Sequence, residues 1–367
     1  MRRAPSRAPR YRCSAVADPL AGTTPPRAGF ELDTVRLEAH LREHVEGFRG
    51  PLEVRQFSGG QSNPTYLIGT PERRYVLRRK PPGQLLASAH AVDREYRVIT
   101  ALSRHSDVPV ARTFTLCTDD SVIGTWFYVM EYVEGRIFWD TAFPEVSREE
   151  RPSYFDAMNA AIASLHNVDY IAAGLADFGR PGGYFARQIA RWAKQYREDT
   201  AAGRIAAMDR VIEWLSAHIP PGEEASVVHG DYRCDNVIFH PTEPRVLAIL
   251  DWELATIGHP LADFGYHLIT YRMPPIGIAG LAGRDLAALN IPSESQYVEA
   301  YCRRTGRDDI PHLDFYLAFS FFRLAGIFHG IRGRVVRGTA VNARAREYAK
   351  HVETIAELAW QQAERAG

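Results

Sequence analysis

The sequence predicts an α+β fold in which a small part containing a β-sheet is followed by a larger, mainly helical part. Three observations support this prediction. Short β-rich runs separated by Gly, Ser, Asn and Pro occupy residues 52–78, and such runs are typical of an antiparallel sheet. From about residue 148 onward, apolar residues recur mostly at helical spacing. The chain has 367 residues, which is enough for two domains or lobes.

The first part contains five predicted strands and one inserted helix. The strands cover residues 52–57, 65–68, 74–78, 111–117 and 125–133. The inserted helix covers about residues 89–103, and a further helix is predicted between Leu32 and Val45 from apolar residues at helical spacing. We assign residues 1–30 to a disordered tail rich in Arg and Pro, and residues 31–132 to an N-terminal lobe with a five-stranded antiparallel sheet.

The second part, residues 133–367, is predicted to be a mainly helical C-terminal lobe. Its predicted helices cover residues 154–166, 184–196, 204–218, 261–271, 293–304, 313–331 and 340–363. One β-hairpin interrupts them, with strands at Asn236–Phe239 and Val246–Leu250 that are joined by a turn containing proline. This hairpin lies beside the densest group of polar residues in the sequence.

The charge balance argues against a nucleic-acid-binding protein. The chain has 44 basic and 44 acidic residues, and 41 of the basic residues are arginine. The charges are unevenly distributed, because residues 1–30 carry six arginines and a single acid, so the remaining residues sum to −5. A body with this balance offers no broad basic surface for nucleic acid or for an anionic membrane.

The sequence contains no strong membrane or export signal. The most apolar stretch, residues 313–328, includes Asp314 and Arg323 and is therefore expected to be a buried helix. The four cysteines are far apart and form no CxxC pair, which favours the reducing cytoplasm. The Arg-rich start lacks the apolar segment of a secretory signal, and a transit peptide is the alternative to a disordered tail. We expect a monomer or a homodimer.

The polar group consists of two segments at the ends of the predicted hairpin. The segment V-V-H-G-D-Y-R-C-D-N-V-I-F places Asp231 five residues before Asn236, and V-L-A-I-L-D-W-E places Asp251 after an apolar strand. The hairpin can bring these three residues together. They supply one proton acceptor and two oxygen ligands, which suits Mg²⁺ carrying substrate phosphates. Each residue alone is more typical of a turn or cap, so the prediction depends on the set.

The same spacing occurs in protein kinases, in which an Asp five residues before an Asn is followed by a later metal-binding Asp. Here H-G-D at 229–231 replaces H-R-D, and D-W-E at 251–253 replaces D-F-G. Only nine residues separate Glu253 from Asp263, too few for the long activation loop with which protein kinases dock a polypeptide. The acceptor is therefore expected to be a small molecule.

Further candidate phosphate-binding residues lie in the first part. The turn between the first two strands has small residues whose backbone N–H groups can approach phosphate oxygens. Its candidate residues are Ser58, Gly59, Gly60, Ser62 and Asn63. Arg78 ends the third strand and Glu95 lies on the following helix, which provides a cation and a helix acid to hold the α- and β-phosphates. The alternatives are an ordinary polar turn and an exposed helix carboxylate.

The identity of the phosphate-binding cation stays open. Strand alternation turns Arg79 away from the face of Arg78 and returns Lys80 to that face. We favour Arg78, because it lies one step after the apolar part of the strand, and Lys80 is the alternative. The last strand runs through Glu131 and Val133 into the second part, as a hinge would, and its backbone is a candidate site for adenine.

Together these motifs resemble the aminoglycoside phosphotransferase and choline kinase family, small-molecule kinases with a protein-kinase-like two-lobe fold. The resemblance covers nearly all of residues 50–270. The segments S-G-G-Q-S-N-P-T-Y, V-L-R-R-K-P-P-G, S-A-H-A-V-D-R-E-Y and I-G-H-P-L-A-D are most similar to the kinase portion fused to acyl-CoA dehydrogenase in some animal mitochondrial proteins. By this resemblance, the N-terminal lobe would bind ATP, and the C-terminal lobe would carry catalysis and bind the acceptor.

The resemblance implies roles for the motif residues of the second part. Asp231 would be the catalytic base, and Asn236 and Asp251 would bind Mg²⁺. His229 and Asp263 would give structural support to the catalytic loop. The expected cofactors are therefore ATP and Mg²⁺.

The resemblance also has two departures, both in the first part. Glu95 would pair with a cation at the end of the third strand, where many relatives have lysine and this sequence has Arg78. The glycine loop lacks the full G-x-G-x-x-G, which would weaken phosphate binding by the backbone.

The sequence leaves the acceptor open. The C-terminal arginines could bind an anionic acceptor, although solvated helix faces are their more common role. They are Arg323, Arg332, Arg334 and Arg337. Resemblance to the dehydrogenase-linked kinases implies a hydroxy acid or a hydroxyacyl thioester. An aminoglycoside is a polycation and would need an acidic site, but the sequence has no dense carboxylate run near the C-terminus, so an antibiotic kinase is a less favoured alternative.

Two further alternatives belong to other function classes. A nucleotide-binding pseudokinase or regulatory protein is favoured by Arg78 and by the short glycine loop, but the three polar residues of the hairpin are all present. A metallohydrolase would use His229, Asp231 and His240, but the sequence offers no second close histidine to complete a zinc site. Cys234 is expected to be a small buried residue rather than a nucleophile.

Overall fold

The computed structural model describes residues 22–57, 63–81, 91–276, 280–340 and 344–367. Its strands are β1 (Thr23–Thr24), β2 (Glu53–Phe57), β3 (Thr65–Gly69), β4 (Arg74–Arg79), β5 (Thr113–Cys117), β6 (Phe127–Glu131), β7 (Ser226–Val228), β8 (Val237–Phe239), β9 (Val246–Ile249) and β10 (Thr256–Gly258). Its α-helices are α1 (Thr34–His44), α2 (Val92–His105), α3 (Asp120–Ile123), α4 (Arg151–His166), α5 (Tyr184–Glu198), α6 (Ala206–Ala217), α7 (Pro260–Leu268), α8 (Leu286–Leu289), α9 (Glu294–Thr305), α10 (Leu313–Val336), α11 (Ala345–Ala349) and α12 (Val352–Ala366). The chain divides into two compact units, one drawn from Met1–Val92 and Phe114–Met130 and the other from Asp93–Thr113 and Glu131–Gly367.

The first unit contains a six-stranded sheet in the order β1-β2-β3-β4-β6-β5. Strands β2, β3 and β4 pair antiparallel, with Thr65 opposite Arg78. The sheet has one strand more than the five predicted, because Thr23–Thr24, inside the segment 1–30, pairs with β2. Arg55 secures this edge by donating from Nε to Thr23 Oγ1 at 2.9 Å. A two-residue strand held in this way has no hydrophobic alternation that a sequence could reveal.

One face of this sheet packs against α1. The helix begins after Asp33, whose side chain accepts the N–H of Arg36 at 3.0 Å. The side chains that form the apolar cluster come from one face of the helix and from alternate positions of β3 and β4. They include Leu37, Leu41, Tyr66, Ile68, Tyr75 and Leu77. Because side chains alternate along a strand, Arg78 points to the opposite face of the sheet.

Helix α10 lies at the centre of the second unit. It packs against α5, α6, α7 and α12, and its buried residues include the charged Arg323. The predicted helix at 340–363 is divided into α11 and α12. Helix α2 belongs to this unit from Asp93 onward, and Arg94 donates from Nη2 to the carbonyl of Phe178 at 2.6 Å. The lobe boundaries 31–132 and 133–367 stay a prediction.

Two small antiparallel sheets carry the polar motifs of the second unit. Strand β8 pairs with β9, with Val237 opposite Ile249, which confirms the predicted hairpin. Strand β7 pairs with β10, with Val228 opposite Thr256. This second pair was not predicted, since strands of three residues are too short to show a period. Over the residues described, no helix combines the length and the apolar composition that a membrane crossing would require.

Candidate active site

The loop between β7 and β8 carries the central motif, and we call residues 229–236 the H-G-D loop. Strand β7, which leads into the loop, is buried at all three positions. Its partner β10 leads into α7, where His259 caps the helix by accepting the N–H of Leu261 on Nδ1 at 3.2 Å. This connection brings Asp263, in the first turn of α7, to the start of the H-G-D loop.

Asp263 binds the first backbone groups of the loop. Its carboxylate accepts the N–H of His229 at 2.7 Å and the N–H of Gly230 at 2.8 Å, and it lies 3.2 Å from His166 Nε2. Burial alone would raise the pKa of Asp263, but the hydrogen bond and charge of His166, with the backbone hydrogen bond from His229, hold the pKa below its ordinary value. Although only 2% exposed, Asp263 is therefore a stable carboxylate.

Both ring nitrogens of His229 are engaged within the protein. Nε2 donates to the carbonyl of Leu250 at 2.7 Å, and Nδ1 accepts the N–H of Asp231 at 3.1 Å. The ring also packs edge-on against Trp252 at 4.9 Å. His229 thus cannot serve as a zinc ligand in this arrangement. In the described part of the chain, no group of three His, Cys, Asp or Glu residues could hold a metal ion in the manner of a metallohydrolase.

The backbone of Leu250 links the two motif segments. Its carbonyl accepts the hydrogen bond from His229, and its N–H donates to the carbonyl of Asn236 at 2.8 Å. Asp251 is the next residue. The structure therefore brings the segment of Asp231 and Asn236 against the end of the strand that precedes Asp251. The two segments are linked through the backbone of Leu250, which is not part of the predicted set of site residues.

Asp231 and Asn236 are in direct contact. The Asn236 Nδ2 atom donates to the Asp231 carbonyl at 2.9 Å and to Asp231 Oδ2 at 3.1 Å. Because the amide nitrogen faces Asp231, the Asn236 Oδ1 atom is left as an oxygen acceptor. Burial raises the pKa of Asp231, while the charges of Arg233 and Arg323 oppose this rise.

Asp251 has a backbone conformation that few residues adopt. Its φ of 64° and ψ of 62° are left-handed, a region in which Asp is tolerated better than most non-glycine residues. The chain then enters a short 3₁₀ helix at Trp252–Leu254. Trp252 is 2% exposed and donates from Nε1 to the carbonyl of Ile249 at 2.9 Å. The W of D-W-E thus anchors the turn that presents Asp251.

A cavity of about 40 Å³ lies beside the H-G-D loop. Its wall includes Arg233, Cys234 and Asp235 from the loop and Tyr266 from α7. Arg233 forms a two-pronged ion pair with Asp235, in which Nε lies 3.0 Å from Oδ1. Cys234 is 4% exposed, and burial raises its pKa to about 12. It has the environment of an inert buried thiol, as expected from the sequence.

The C-terminal arginines occupy two different environments. Arg332 and Arg337 form ion pairs with Glu353 and Asp199, each at 2.6 Å. Arg337 is exposed and matches the solvated-face interpretation, whereas Arg332 is half-buried. Arg323 is only 8% exposed and donates from Nη2 to a carbonyl of the H-G-D loop.

The three cations at the end of β4 also differ in environment. Arg78 is 8% exposed on the sheet face opposite the apolar cluster. Arg79 lies over the ring of Tyr66 at 5.5 Å, on the cluster side, as alternation predicts. The Lys80 Nζ atom lies 3.9 Å from the ring centroid of Trp126. Lys80 is therefore in contact with an aromatic ring.

The other candidate phosphate-binding residues are only partly within the structure. Ser58, Gly59, Gly60 and Ser62 lie outside the described residues. Asn63 is fully buried, and its carbonyl accepts the hydroxyl of Thr65 at 3.1 Å. Glu95, in the first turn of α2, is 1% exposed. The alternative that Glu95 is an exposed helix carboxylate is therefore wrong.

The predicted hinge lies at the end of β6. The N–H of Glu131 donates to the carbonyl of Arg112 at 2.8 Å, while the side chain is exposed. Val133 is half-buried. The pairing of the Glu131 backbone with Arg112 fixes the direction in which the chain leaves the strand.

Comparison with known proteins identifies the class that this fold and site define. The model of the phosphotransferase enzyme family (APH) matches residues 53–314, and the chain belongs to this family. It is therefore a phosphotransferase with an alcohol group as acceptor, built on the protein-kinase-like fold.

Two curated relatives are particularly similar. Acyl-CoA dehydrogenase family member 10 of Mus musculus is 44% identical over 352 residues, which cover 95% of this chain and 33% of that protein. Acyl-CoA dehydrogenase family member 11 of Gallus gallus is 43% identical, with 92% of this chain and 44% of that protein covered. The chain thus spans about a third of the length of the first relative and less than half of the length of the second.

Solved structures give the same fold. A crystal structure of a provisionally named aminoglycoside phosphotransferase from Ralstonia eutropha JMP134 has 52% identity and a TM-score of 0.85, and the match covers 91% of this chain and 99% of that chain. The hygromycin B and AMP-PNP complex of aminoglycoside phosphotransferase APH(4)-Ia has 17% identity and a TM-score of 0.56, with 89% and 98% covered. At this lower identity, the likeness concerns the fold alone.

Proposed function

We propose that this phosphotransferase is ATP- and Mg²⁺-dependent and that it phosphorylates the hydroxyl of a small acid or of its acyl thioester. The observation that carries the proposal is the H-bonded set formed by Asp231, Asn236 and Leu250, the residue before Asp251. This set brings the carboxylate of Asp231 into contact with the amide of Asn236 and joins them through the backbone to the strand end before Asp251. A proton acceptor with nearby oxygen ligands for a metal ion is what phosphoryl transfer to an alcohol requires.

Asp231 is the proposed catalytic base. Its carboxylate would accept a hydrogen bond from the acceptor hydroxyl and orient the oxygen toward the γ-phosphorus of ATP. As the new oxygen–phosphorus bond forms, the bond between the γ-phosphorus and the bridging oxygen of ADP breaks, and the hydroxyl proton passes to Asp231. The hydrogen bond from Asn236 Nδ2 fixes the orientation of the carboxylate during this step.

Asn236 and Asp251 are the proposed magnesium ligands. The Asn236 Oδ1 atom and the Asp251 carboxylate are hard oxygen donors, and Mg²⁺ prefers such ligands together with phosphate oxygens and water. The donor set therefore fits this ion better than it fits zinc. When bound, Mg²⁺ would neutralise charge on the β- and γ-phosphate oxygens.

The nucleotide-binding residues are proposed from the sequence motifs, each by itself. Arg78 is the favoured phosphate-binding cation, because it lies on β4 directly after the apolar part of the strand, and Lys80 is the alternative. Glu95 is proposed to pair with a phosphate-binding cation, since a buried carboxylate requires compensation. The backbone at Glu131 and Val133 is proposed to bind adenine, and the backbone of Asn63 and of the preceding turn is proposed to bind phosphate.

The acceptor is proposed to be an anion such as a hydroxy acid or its acyl thioester. Arg323 contributes positive charge near Asp231 that would attract such an acceptor, whereas the charge of Arg233 is offset by its ion pair with Asp235. The similarity to acyl-CoA dehydrogenase family members points to the same class, because their names refer to acyl thioesters. An aminoglycoside is the second candidate, supported by the name of the relative with 52% identity. The monomeric or homodimeric state and the cytoplasmic location stay predictions.

A screen for ADP release tests this proposal. Purified protein, ATP and Mg²⁺ are combined with hydroxy acids, 3- and 4-hydroxyacyl thioesters, amino alcohols and aminoglycosides, and mass spectrometry identifies any phosphorylated acceptor. We expect release with hydroxy acids or their thioesters, and loss of release when a chelator removes Mg²⁺. Release with aminoglycosides alone would overturn the acceptor class, and an absence of release with every acceptor would favour the pseudokinase alternative.

A further inference from the structure

Arg323 is a charged residue in the middle of an otherwise apolar helix. It lies on α10 between the buried residues Phe322 and Leu324, and it is 8% exposed. Burial of a guanidinium costs free energy unless its donors and charge are compensated. Here the Nη2 atom donates to the carbonyl of Gly230, and the guanidinium lies over the ring of Tyr266 at 4.6 Å. The first contact is with the H-G-D loop, and the second is with a residue of α7.

The backbone just before Asp231 is held at four polar groups. Asp263 accepts the N–H of His229 and the N–H of Gly230. The His229 ring accepts the N–H of Asp231. Arg323 supplies the remaining bond, to the carbonyl of Gly230. The peptide plane between Gly230 and Asp231 is thus held on one edge by His229 and on the other by Arg323.

Gly230 makes this restraint necessary. Its φ is +84°, and a Cβ atom at this position would lie 2.9 Å from the carbonyl oxygen of Leu254. Glycine is therefore required here, but glycine also leaves the backbone free to rotate. A rotation of the peptide that follows Gly230 would displace the carboxylate of Asp231. Bonds from side chains must replace the steric restraint that a Cβ would give.

We propose that Arg323 is a positioning residue, which fixes the peptide between Gly230 and Asp231 and thereby aims the carboxylate of Asp231 at the acceptor hydroxyl. This inference rests on the proposed function of Asp231. It assigns Arg323 a role distinct from binding an anionic acceptor, because its guanidinium is engaged with the loop and with Tyr266.

The contact with Tyr266 explains the choice of arginine. A planar guanidinium can lie flat on an aromatic ring while it donates in its own plane, whereas a lysine ammonium has no such plane. Tyr266 lies on α7, the helix that also carries Asp263. One helix therefore orients both side chains that hold Gly230.

Three variants test the proposal. Arg323→Met removes the bond and the charge with little change in volume, and Arg323→Lys keeps the charge and one donor. Arg332→Met is the matched control, because Arg332 lies on the same helix but bonds to Glu353 and to the carbonyl of Ala349. Steady-state kinetics with ATP and the acceptor found in the screen are combined with amide hydrogen exchange of residues 229–236.

We expect Arg323→Met to lower kcat by about 100-fold, since small misplacements at a reacting centre have effects of that size. KM for ATP and the melting temperature should change little, and exchange in residues 229–236 should accelerate about 10-fold. Arg323→Lys should recover part of kcat, and Arg332→Met should match the wild type. An unchanged kcat, an equal loss in Arg332→Met or unchanged exchange in residues 229–236 would overturn the proposal. If the wild type phosphorylates no acceptor, the proposed function fails, while the exchange comparison still decides whether Arg323 holds the loop.

Discussion

The N-terminal sheet and the H-G-D loop are held in place by different kinds of interaction. Strands β2, β3 and β4 form a continuous ladder over an apolar cluster, so their order depends on many similar, replaceable contacts. The H-G-D loop depends on single polar bonds from Asp263, 33 and 34 residues away in sequence, and from Arg323, 93 residues away. Substitutions in the apolar cluster of the sheet should therefore lower the free energy of unfolding, whereas substitutions that affect the H-G-D loop should lower turnover.

The largest combined effect is expected for Asp263→Asn. The amide cannot accept both N–H groups of the loop, and its own NH₂ group would face one of them. Loss of a buried, bonded carboxylate should cost about 3–5 kcal/mol of unfolding free energy. Turnover of the remaining folded protein should fall by about 100-fold. Denaturant unfolding and kinetics of one preparation measure both effects, and wild-type turnover would contradict the role of Asp263 as loop support.

Leu77→Ala tests the role of the N-terminal sheet in the comparison. Leu77 is fully buried in the apolar cluster, and its truncation should cost about 2–5 kcal/mol. At a temperature where the variant is folded, kcat should equal that of the wild type, because the substitution does not alter the H-G-D loop. Thermal unfolding followed by kinetics at low temperature checks this. A large fall in kcat without unfolding would show that the sheet and the loop are not energetically separate.

Arg78→Met and Lys80→Met separate the two candidate phosphate-binding cations. Loss of a charge-assisted contact to phosphate costs about 1.5–3 kcal/mol, so Arg78→Met should raise KM for ATP by about 10- to 100-fold. Lys80→Met removes the contact with Trp126 and should raise KM by less than about threefold. The reverse order of effects would identify Lys80 as the phosphate-binding residue.

The smallest effect is an acid sensitivity of the helical unit. Burial lowers the pKa of His267 to about 4, despite the opposing backbone bond of Tyr232 and the charge of Asp263. Since the unfolded chain binds the proton near pH 6.5, stability is complete above that pH and falls progressively toward pH 4. The contribution of His267 should therefore lower the unfolding free energy by about 1 kcal/mol at pH 5.5 relative to pH 7.5, in addition to that of His259, whose pKa burial also lowers to about 4. Denaturant titrations at both pH values measure this difference in the wild type and in His267→Gln. If the difference in unfolding free energy between the two pH values is the same in both proteins, groups other than His267 cause the acid sensitivity.

The sequence was sufficient for much of the fold because its main elements have long or regular patterns. The strands of the sheet, the β8–β9 hairpin and α10 all follow from alternation or helical spacing. The same patterns could not predict β1 or the β7–β10 pair, which have two or three residues per strand and are completed by long-range pairing.

For the candidate site, the motifs predicted which residues lie together but not what holds them. Asp231, Asn236 and Asp251 could be found by spacing within one hairpin. Leu250 acts through its backbone, so its side chain gives no signal. Arg323 acts over 93 residues and has the composition of any helix arginine. Its position within an apolar helix segment was the one signal, since an isolated charge there must be buried with a partner.

The most direct test of the account compares Asp231→Asn with Asp235→Asn in the same loop. Asp235 pairs with Arg233 and is not proposed to take part in proton transfer. Both variants are measured for turnover with ATP and the acceptor, and for ATP binding by calorimetry. The account predicts that Asp231→Asn lowers kcat by about 1,000-fold with ATP affinity unchanged, while Asp235→Asn loses less than about tenfold. Equal turnover in Asp231→Asn and the wild type would contradict the assignment of Asp231 as the catalytic base.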